Sequence, residues 1–264
     1  MNAHTTRFTL CFAVMIMLFA AGMPFITKKR EHYAVPGTDV IRMMRETKVF
    51  AAVTAPCTLQ KEIAETAGFN VAAKLIPGQT VEIIRDHQAQ WYFVREIITG
   101  NSGWLQRDDI SIPPDTPARQ DTMNPAELEA YANAMGYASK TAYLAVVDID
   151  RQKVYVYKGS KYKWRLSRAM PCSTGKNESP TVTGQFELED RGLWFYSERL
   201  GSGGKYWVRF DGPYLFHSLP MSRDGAVLDE TLGERNSNGC VRLSVADAEW
   251  LYDTAPDGSC VIII

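Results

Sequence analysis

Two side chains in this sequence combine useful chemistry with a telling setting. Cys240 lies in Ser237-Asn238-Gly239-Cys240-Val241-Arg242-Leu243, and His217 ends the apolar run Tyr214-Leu215-Phe216. A thiol attacks a carbonyl carbon as the thiolate, and a free cysteine with pKa near 8.5 is only partly ionised at neutral pH. A neighbouring imidazole can take that proton, which is why cysteine enzymes pair the two residues. Of the four histidines, His4 precedes an apolar segment, His32 sits in a polar stretch and His87 in a turn-rich region. His217 alone shares a strand-rich region with Cys240. Gly239 lets a ligand or another backbone approach closely, and the N–H groups of Gly239 and Cys240 could hold a developing oxyanion. In other enzymes one such donor is worth about 2.7–4 kcal/mol. Ser237 and Asn238 add polar groups before the cysteine. Arg242 points to the same side as Cys240 if the segment is extended, either to form an ion pair or to meet a substrate charge. By spacing alone the signal is sparse, because a lone cysteine is more often a small apolar packing residue.

Holding such a pair requires a folded body, and the composition provides for one. The chain has 264 residues, 45% hydrophobic and 22% charged, with 29 basic and 30 acidic side chains for a net charge of −1. That excludes a mostly disordered chain. It also leaves no general positive field, so no nucleic-acid partner is expected. Five cysteines are too few for a disulfide-built scaffold, and their odd number leaves at least one sulfur free or paired with another chain. Cys57, Cys172 and Cys260 read as unpaired small residues. The stretch 199–206 fails as a phosphate loop, since Arg199 stands where the first glycine belongs and Tyr206 where Ser or Thr is needed.

The pattern along the chain divides it into five parts. Residues 8–26 are almost all apolar and are followed by Lys28, Lys29 and Arg30. At about 1.5 Å per residue this run nearly crosses a hydrocarbon core, so 1–30 reads as a signal or membrane-anchor helix. The trailing basic cluster lies on the wrong side for a simple positive-inside anchor with the body outside. Residues 31–47 read as a polar stalk. Residues 48–113 hold short strand-like runs broken by Pro77-Gly78 and by Gly100-Asn101-Ser102-Gly103 before Trp104. This order resembles a bacterial SH3-like domain, a small barrel, with 57–70 as an insertion. The resemblance implies a module that binds cell-wall peptide or glycan, or a spacer that positions the next domain.

Pro113, Pro114 and Pro117 mark a boundary. In the linker 114–139, Asn124-Pro125 with Glu127 predicts a helix start, and the helix is expected to pack as a connector on the next domain. Residues 140–264 are again strand-rich: a hairpin turning at 148–152, further strands, and one helix opened by Ser244 with Asp247. One helix among many strands predicts a mainly β domain of sandwich or barrel type. Trp194, Tyr196, Tyr206 and Trp207 are assigned to packing ahead of groove-lining.

Taken together, Cys172-Ser173-Thr174-Gly175, Leu215-Phe216-His217-Ser218, Leu232-Gly233 and the run from Ser237 to Ile264 resemble the L,D-transpeptidase (YkuD-type) catalytic domain from about Thr141 onward. The resemblance implies a β-sandwich-like fold with few helices, Cys240 as nucleophile and His217 as base. It implies that the Ser218 carbonyl orients the imidazole, that Ser237 and Gly239 line the site, and that Arg242 orders it or meets a carboxylate. The substrate would be peptidoglycan stem peptides in the cell envelope. Acyl transfer would make cross-links, or water would trim stems as an L,D-carboxypeptidase. Carbapenems would be covalent inhibitors, and no metal or nucleotide cofactor is implied. Two residues depart from the family pattern: Asn238 stands where His usually precedes the Gly-Cys pair, and Ser218 where Gly is common. With the upstream His217 as base, Asn238 is expected to tune hydrogen bonding. A catalytically silent peptidoglycan-binding protein is the rival reading. The stretch 221–236 between the two motifs predicts a large loop beside the site, a lid or an acceptor-side wall.

Overall fold

The computed structural model describes residues 40–63 and 71–264. The predicted anchor and the first part of the stalk lie outside the described residues. Among those described, no helix is long and apolar enough to cross a membrane.

The stalk expectation fails from residue 40 onward. Val40–Met43 forms one helical turn (α1), and Val40 and Met44 are buried against the later helix residues Leu128 and Tyr131. Their i, i+4 spacing puts both side chains on one face, which is enough to dock a single turn.

The first module is one antiparallel sheet. Its strands are β1 (Val49–Val53), β2 (Cys57–Gln60), β3 (Val71–Leu75), β4 (Thr80–His87), β5 (Trp91–Glu96), β6 (Ser102–Gln106) and β7 (Ile110–Ser111), in the order β3-β2-β6-β5-β4-β1-β7. Alternating residues such as Val49, Ala51 and Val53 point into a core that contains Tyr92, Val94 and Leu105. The insertion expected at 57–70 is corrected in its first part. Residues 57–60 are a sheet strand paired with both β3 and β6, and Leu59 is its one buried residue. Residues 64–70 lie outside the described set.

The helix α2 (Pro125–Ala134) begins as the sequence demands. The Asn124 side chain accepts from the Glu127 N–H at 3.0 Å, and Glu127 accepts from the Asn124 N–H at 2.8 Å, a reciprocal cap. It packs on the outer face of a five-stranded sheet, β10-β9-β8-β16-β11. These strands are β8 (Tyr143–Asp148), β9 (Lys153–Lys158), β10 (Arg165–Pro171), β11 (Gly184–Glu187) and β16 (Cys260–Ile263). β8 is buried on both faces: Leu144 and Val146 meet α2, while Ala145 and Val147 enter the central core.

Across that core lies a four-stranded sheet of β12 (Arg191–Ser197), β13 (Ser202–Asp211), β14 (Tyr214–Ser218) and β15 (Val241–Leu243). Val208, Phe210, Phe216, Val241 and Leu243 face Val154, Val156, Val261 and Ile263 from the first sheet. Two sheets closing on one apolar layer is the sandwich arrangement expected. α3 (Val245–Thr254) follows, with Ser244 accepting from the Asp247 N–H at 3.0 Å. The carboxylate of Asp247 bonds the Ser244 hydroxyl and Arg168, so only half of the capping box forms.

Candidate active site

The site is a consequence of one strand pairing. β14 and β15 run parallel, with His217 opposite Arg242 and Phe216 opposite Val241. Phe216, Val241 and Leu243 fill the sandwich core. By the two-residue period of a strand, His217, Arg242 and Cys240 therefore share the opposite face. Residues distant in sequence thus become near neighbours on adjacent strands. Arg242 touches both electrostatically, disfavouring the charged imidazole and favouring the thiolate.

Cys240 is half-buried. Its Sγ donates to the Pro213 carbonyl at 3.7 Å and makes no hydrogen bond to His217. Burial pushes the thiol above its ordinary pKa, opposed by the Leu215 main chain and by the Arg242 and Arg209 charges. His217 is 5% exposed. Its ring stands edge-on to Phe195 with centroids 5.1 Å apart, and Nδ1 is buried without a hydrogen-bond partner among the described residues. Burial first, and then Arg242, lower its pKa to about 4. The resting pair is therefore a neutral thiol and a neutral imidazole.

The Ser218 main chain interacts with the ring, as expected of an orienting group, and favours its charged form against those two effects, while Nδ1 has no closely aligned acceptor. The Ser218 hydroxyl works elsewhere, accepting from the Lys205 N–H and donating to the Leu219 carbonyl, both at 2.9 Å. Packing also holds the ring. A Cβ placed on Gly204 would lie 2.7 Å from Nδ1 and 3.0 Å from Phe195 Cε1, so only glycine lets β13 pass this close. The Gly203-Gly204 doublet was the available signal in the sequence.

Ser237 shapes the turn before the cysteine. Its hydroxyl donates to the Cys240 carbonyl at 2.5 Å and accepts from the Gly239 N–H at 3.2 Å. The Gly239 N–H, expected as an oxyanion donor, is thus already engaged. Gly239 has φ of +102°, and a Cβ there would meet Tyr214 Cε1 at 2.6 Å. Its carbonyl accepts from the Thr181 hydroxyl at 2.8 Å, a support that sequence reasoning missed. Asn238 is exposed.

Arg242 forms the structural ion pair, 3.4 Å from the Asp229 carboxylate, and donates to the Asn236 carbonyl at 2.8 Å. Asp229, also missed, lies in the 221–236 loop and receives Asn236 Nδ2 and the Thr231 N–H as well. That loop is laced to the body: Met221 and Gly203 exchange two backbone bonds, and the Gly233 N–H donates to the Cys172 carbonyl. Of the aromatic residues assigned to packing, Tyr206 packs against the core, whereas Trp194 is 38% exposed on β12, at the sheet edge. Cys57, Cys172, Cys240 and Cys260 are all free thiols.

Fold and site together define a β-sandwich that carries a cysteine, a histidine and an arginine on one sheet face. Residues 142–263 match the family model of the L,D-transpeptidase catalytic domain, YkuD. A putative L,D-transpeptidase of Bacillus subtilis (strain 168), YciB, is 37% identical over 123 residues, 44% of this chain and 63% of that protein. Among solved structures, a fused Zn-dependent amidase/peptidase/peptidoglycan-binding-domain protein from Clostridium acetobutylicum ATCC 824 is 34% identical, with a TM-score of 0.47. That match covers 53% of this chain and 59% of the other. An L,D-transpeptidase from Mycobacterium smegmatis is 26% identical with a TM-score of 0.38, covering 47% and 58%. The chain thus spans about three fifths of the length of these relatives.

Proposed function

We propose that this protein is a cysteine L,D-transpeptidase acting on peptidoglycan stem peptides in the cell envelope, with residues 8–26 exporting or anchoring it. The observation that supports the reading is the parallel register of β14 on β15, which pairs His217 with Arg242, two residues after Cys240. The match of residues 142–263 to the L,D-transpeptidase catalytic domain supports it.

In the proposed reaction Sγ turns from the Pro213 carbonyl toward His217, and its proton passes to the neutral imidazole. A ring with pKa near 4 is unprotonated at neutral pH and can accept it. The sulfur attacks the carbonyl carbon of the third, L-configured stem residue. The carbonyl oxygen takes the negative charge beside the main-chain N–H of Cys240. Collapse breaks the bond to D-alanine, whose nitrogen takes the proton from His217, leaving a thioester on Cys240. An amine of a neighbouring stem then attacks the thioester carbon, gives up its proton and frees the sulfur. Arg242, held by Asp229, keeps a positive charge beside both reacting groups.

Intact-protein mass spectrometry after incubation with imipenem tests the proposal. One covalent adduct is expected on Cys240 and none on Cys240→Ala. A folded protein whose Cys240 alkylates with iodoacetamide yet never takes up imipenem would instead be a peptidoglycan-binding protein. Incubation with purified stem peptides should yield cross-linked dimers, and trimmed monomers alone would make it a carboxypeptidase.

A further inference from the structure

The tip of the β4–β5 hairpin in the first module touches the catalytic module at two segments that bond or pack against Gly239 and Cys240. The first contact is with the 178–181 segment. Tyr92, fully buried, donates its hydroxyl to the Glu178 carbonyl at 2.7 Å. Ser179 donates to the Asp86 carboxylate at 3.3 Å, and Arg107 pairs with Glu178 at 3.2 Å. Two residues after Ser179, Thr181 holds the Gly239 carbonyl at 2.8 Å and accepts from the Gly175 N–H at 2.9 Å. The path from Tyr92 to the residue before the cysteine is therefore a short run of bonded neighbours.

The second contact is with the turn before β14. Arg85 pairs with Asp211 at 3.2 Å. Pro213, two residues on, supplies the carbonyl that takes the thiol of Cys240, and Tyr214 packs its ring on Gly239. The hairpin tip makes both contacts at once. The β4–β5 register shifts between Ile83 and Arg85, a bulge of the kind that re-aims side chains. Gln88 and Ala89 take φ of +56° and +55° and the Gln90 N–H donates to the His87 carbonyl at 3.1 Å, the tight turn of a hairpin. The Ala89 N–H donates to Asp86 at 2.7 Å, which fixes that carboxylate toward Ser179.

We infer that Arg85, Asp86 and Tyr92 are positioning residues for Cys240, so that the first module forms part of the mount of the nucleophile. The inference rests on the reading of Cys240 as nucleophile. It assigns these residues no contact with substrate. They act through residues 178–181 and 211–214, which set where the sulfur and the adjoining main-chain N–H stand. Misplacement by about 1 Å at such a point is enough to slow chemistry by about a hundredfold, and loss of one outlying support should cost less.

The test uses the full chain and four variants: Tyr92→Phe, Arg85→Ala, Arg85→Lys and Arg95→Ala. Arg95→Ala breaks the pair with Glu82 in the same module, away from both contacts, and so reports on module stability alone. Imipenem acylation is resolved into a binding constant and a first-order rate. The rate should fall about tenfold in Tyr92→Phe and Arg85→Ala with binding changed less than about twofold. Arg85→Lys should recover most of the loss, and Arg95→Ala should match the parent. Parent-like acylation in Tyr92→Phe and Arg85→Ala, or an equal loss in Arg95→Ala, overturns the inference. If the parent itself takes up no imipenem, the proposed activity fails, and the rate of Cys240 alkylation by iodoacetamide, followed peptide by peptide, decides the positioning role separately. A change of about threefold or more in Tyr92→Phe sustains that role, and superimposable rates reject it.

Discussion

Replacing His217 with Gln should remove a pH dependence of stability that the burial of this ring builds in. The imidazole titrates near 6.5 when exposed and is lowered to about 4 in the fold, by burial first and then by the Arg242 charge. Above pH 6.5 folded and unfolded chains both carry the neutral ring, and the shift contributes no pH dependence. Between pH 6.5 and 4 the unfolded chain binds a proton that the folded chain refuses, so stability falls as pH falls. At about 1.4 kcal/mol per pH unit over roughly 2.5 units, the loss approaches 3 kcal/mol at pH 4. Carboxylates titrate in the same range, but they do so in the variant too, and the difference between the two proteins isolates the ring. Urea unfolding followed by tryptophan fluorescence at pH 7.5, 6, 5 and 4 gives that difference. The parent should lose about 3 kcal/mol relative to His217→Gln from the highest to the lowest pH. A constant difference would mean that the ring is solvated and that the neutral, ready base has been misread.

Three further outcomes rest on the same contacts. Gly204→Ala would set a methyl group 2.7 Å from Nδ1; with the ring displaced, imipenem acylation of Cys240 should fall by about a hundredfold, while circular dichroism shows a folded chain. Arg242→Gln removes a charge that lowers both the His217 and the Cys240 pKa, so the imidazole should titrate higher by NMR and Cys240 should alkylate more slowly at any pH below its own midpoint. Asp148→Ala leaves the buried Arg151 without the carboxylate 2.8 Å away; calorimetry should show a loss of about 3 kcal/mol, at the low end for a broken buried pair because Asp121 still reaches the guanidinium.

Legibility in the sequence followed how local the cause was. The hairpin of β8 and β9 and the starts of α2 and α3 were readable because turn residues and caps act over three or four positions. β2 escaped because Leu59 is its single buried side chain, and one residue cannot display a two-residue period. α1 escaped because a single turn offers only the Val40–Met44 spacing as a signal. In the site, Cys240 and His217 stood out by residue type. Gly204, Thr181, Pro213 and Asp229 did not, because each matters only for what the fold lays against it. Arg242 was readable as a charge beside the site, but the choice between ion pair and substrate contact waited on Asp229, thirteen residues away in a loop. The strand was expected to end at His217 and runs one residue further, to Ser218, whose main chain favours the charged ring beside the close packing of that ring on Gly204 and Phe195.

The neutral resting pair bears on how such a site can work. Burial raises the thiol and lowers the imidazole, so both shifts oppose a standing thiolate–imidazolium pair. Proton transfer must then accompany attack, when a substrate carbonyl is present to take up the charge of the sulfur. The Pro213 carbonyl reinforces this by accepting from the protonated sulfur, which favours the thiol while the site is empty. Arg242 favours the thiolate but disfavours the imidazolium, so it promotes departure of the proton from sulfur without letting it settle permanently on the ring. A sulfur kept protonated at rest is a poor target for oxidants and stray electrophiles. That suits a thiol on a half-exposed sheet face, where a standing thiolate would be consumed before a substrate carbonyl arrived.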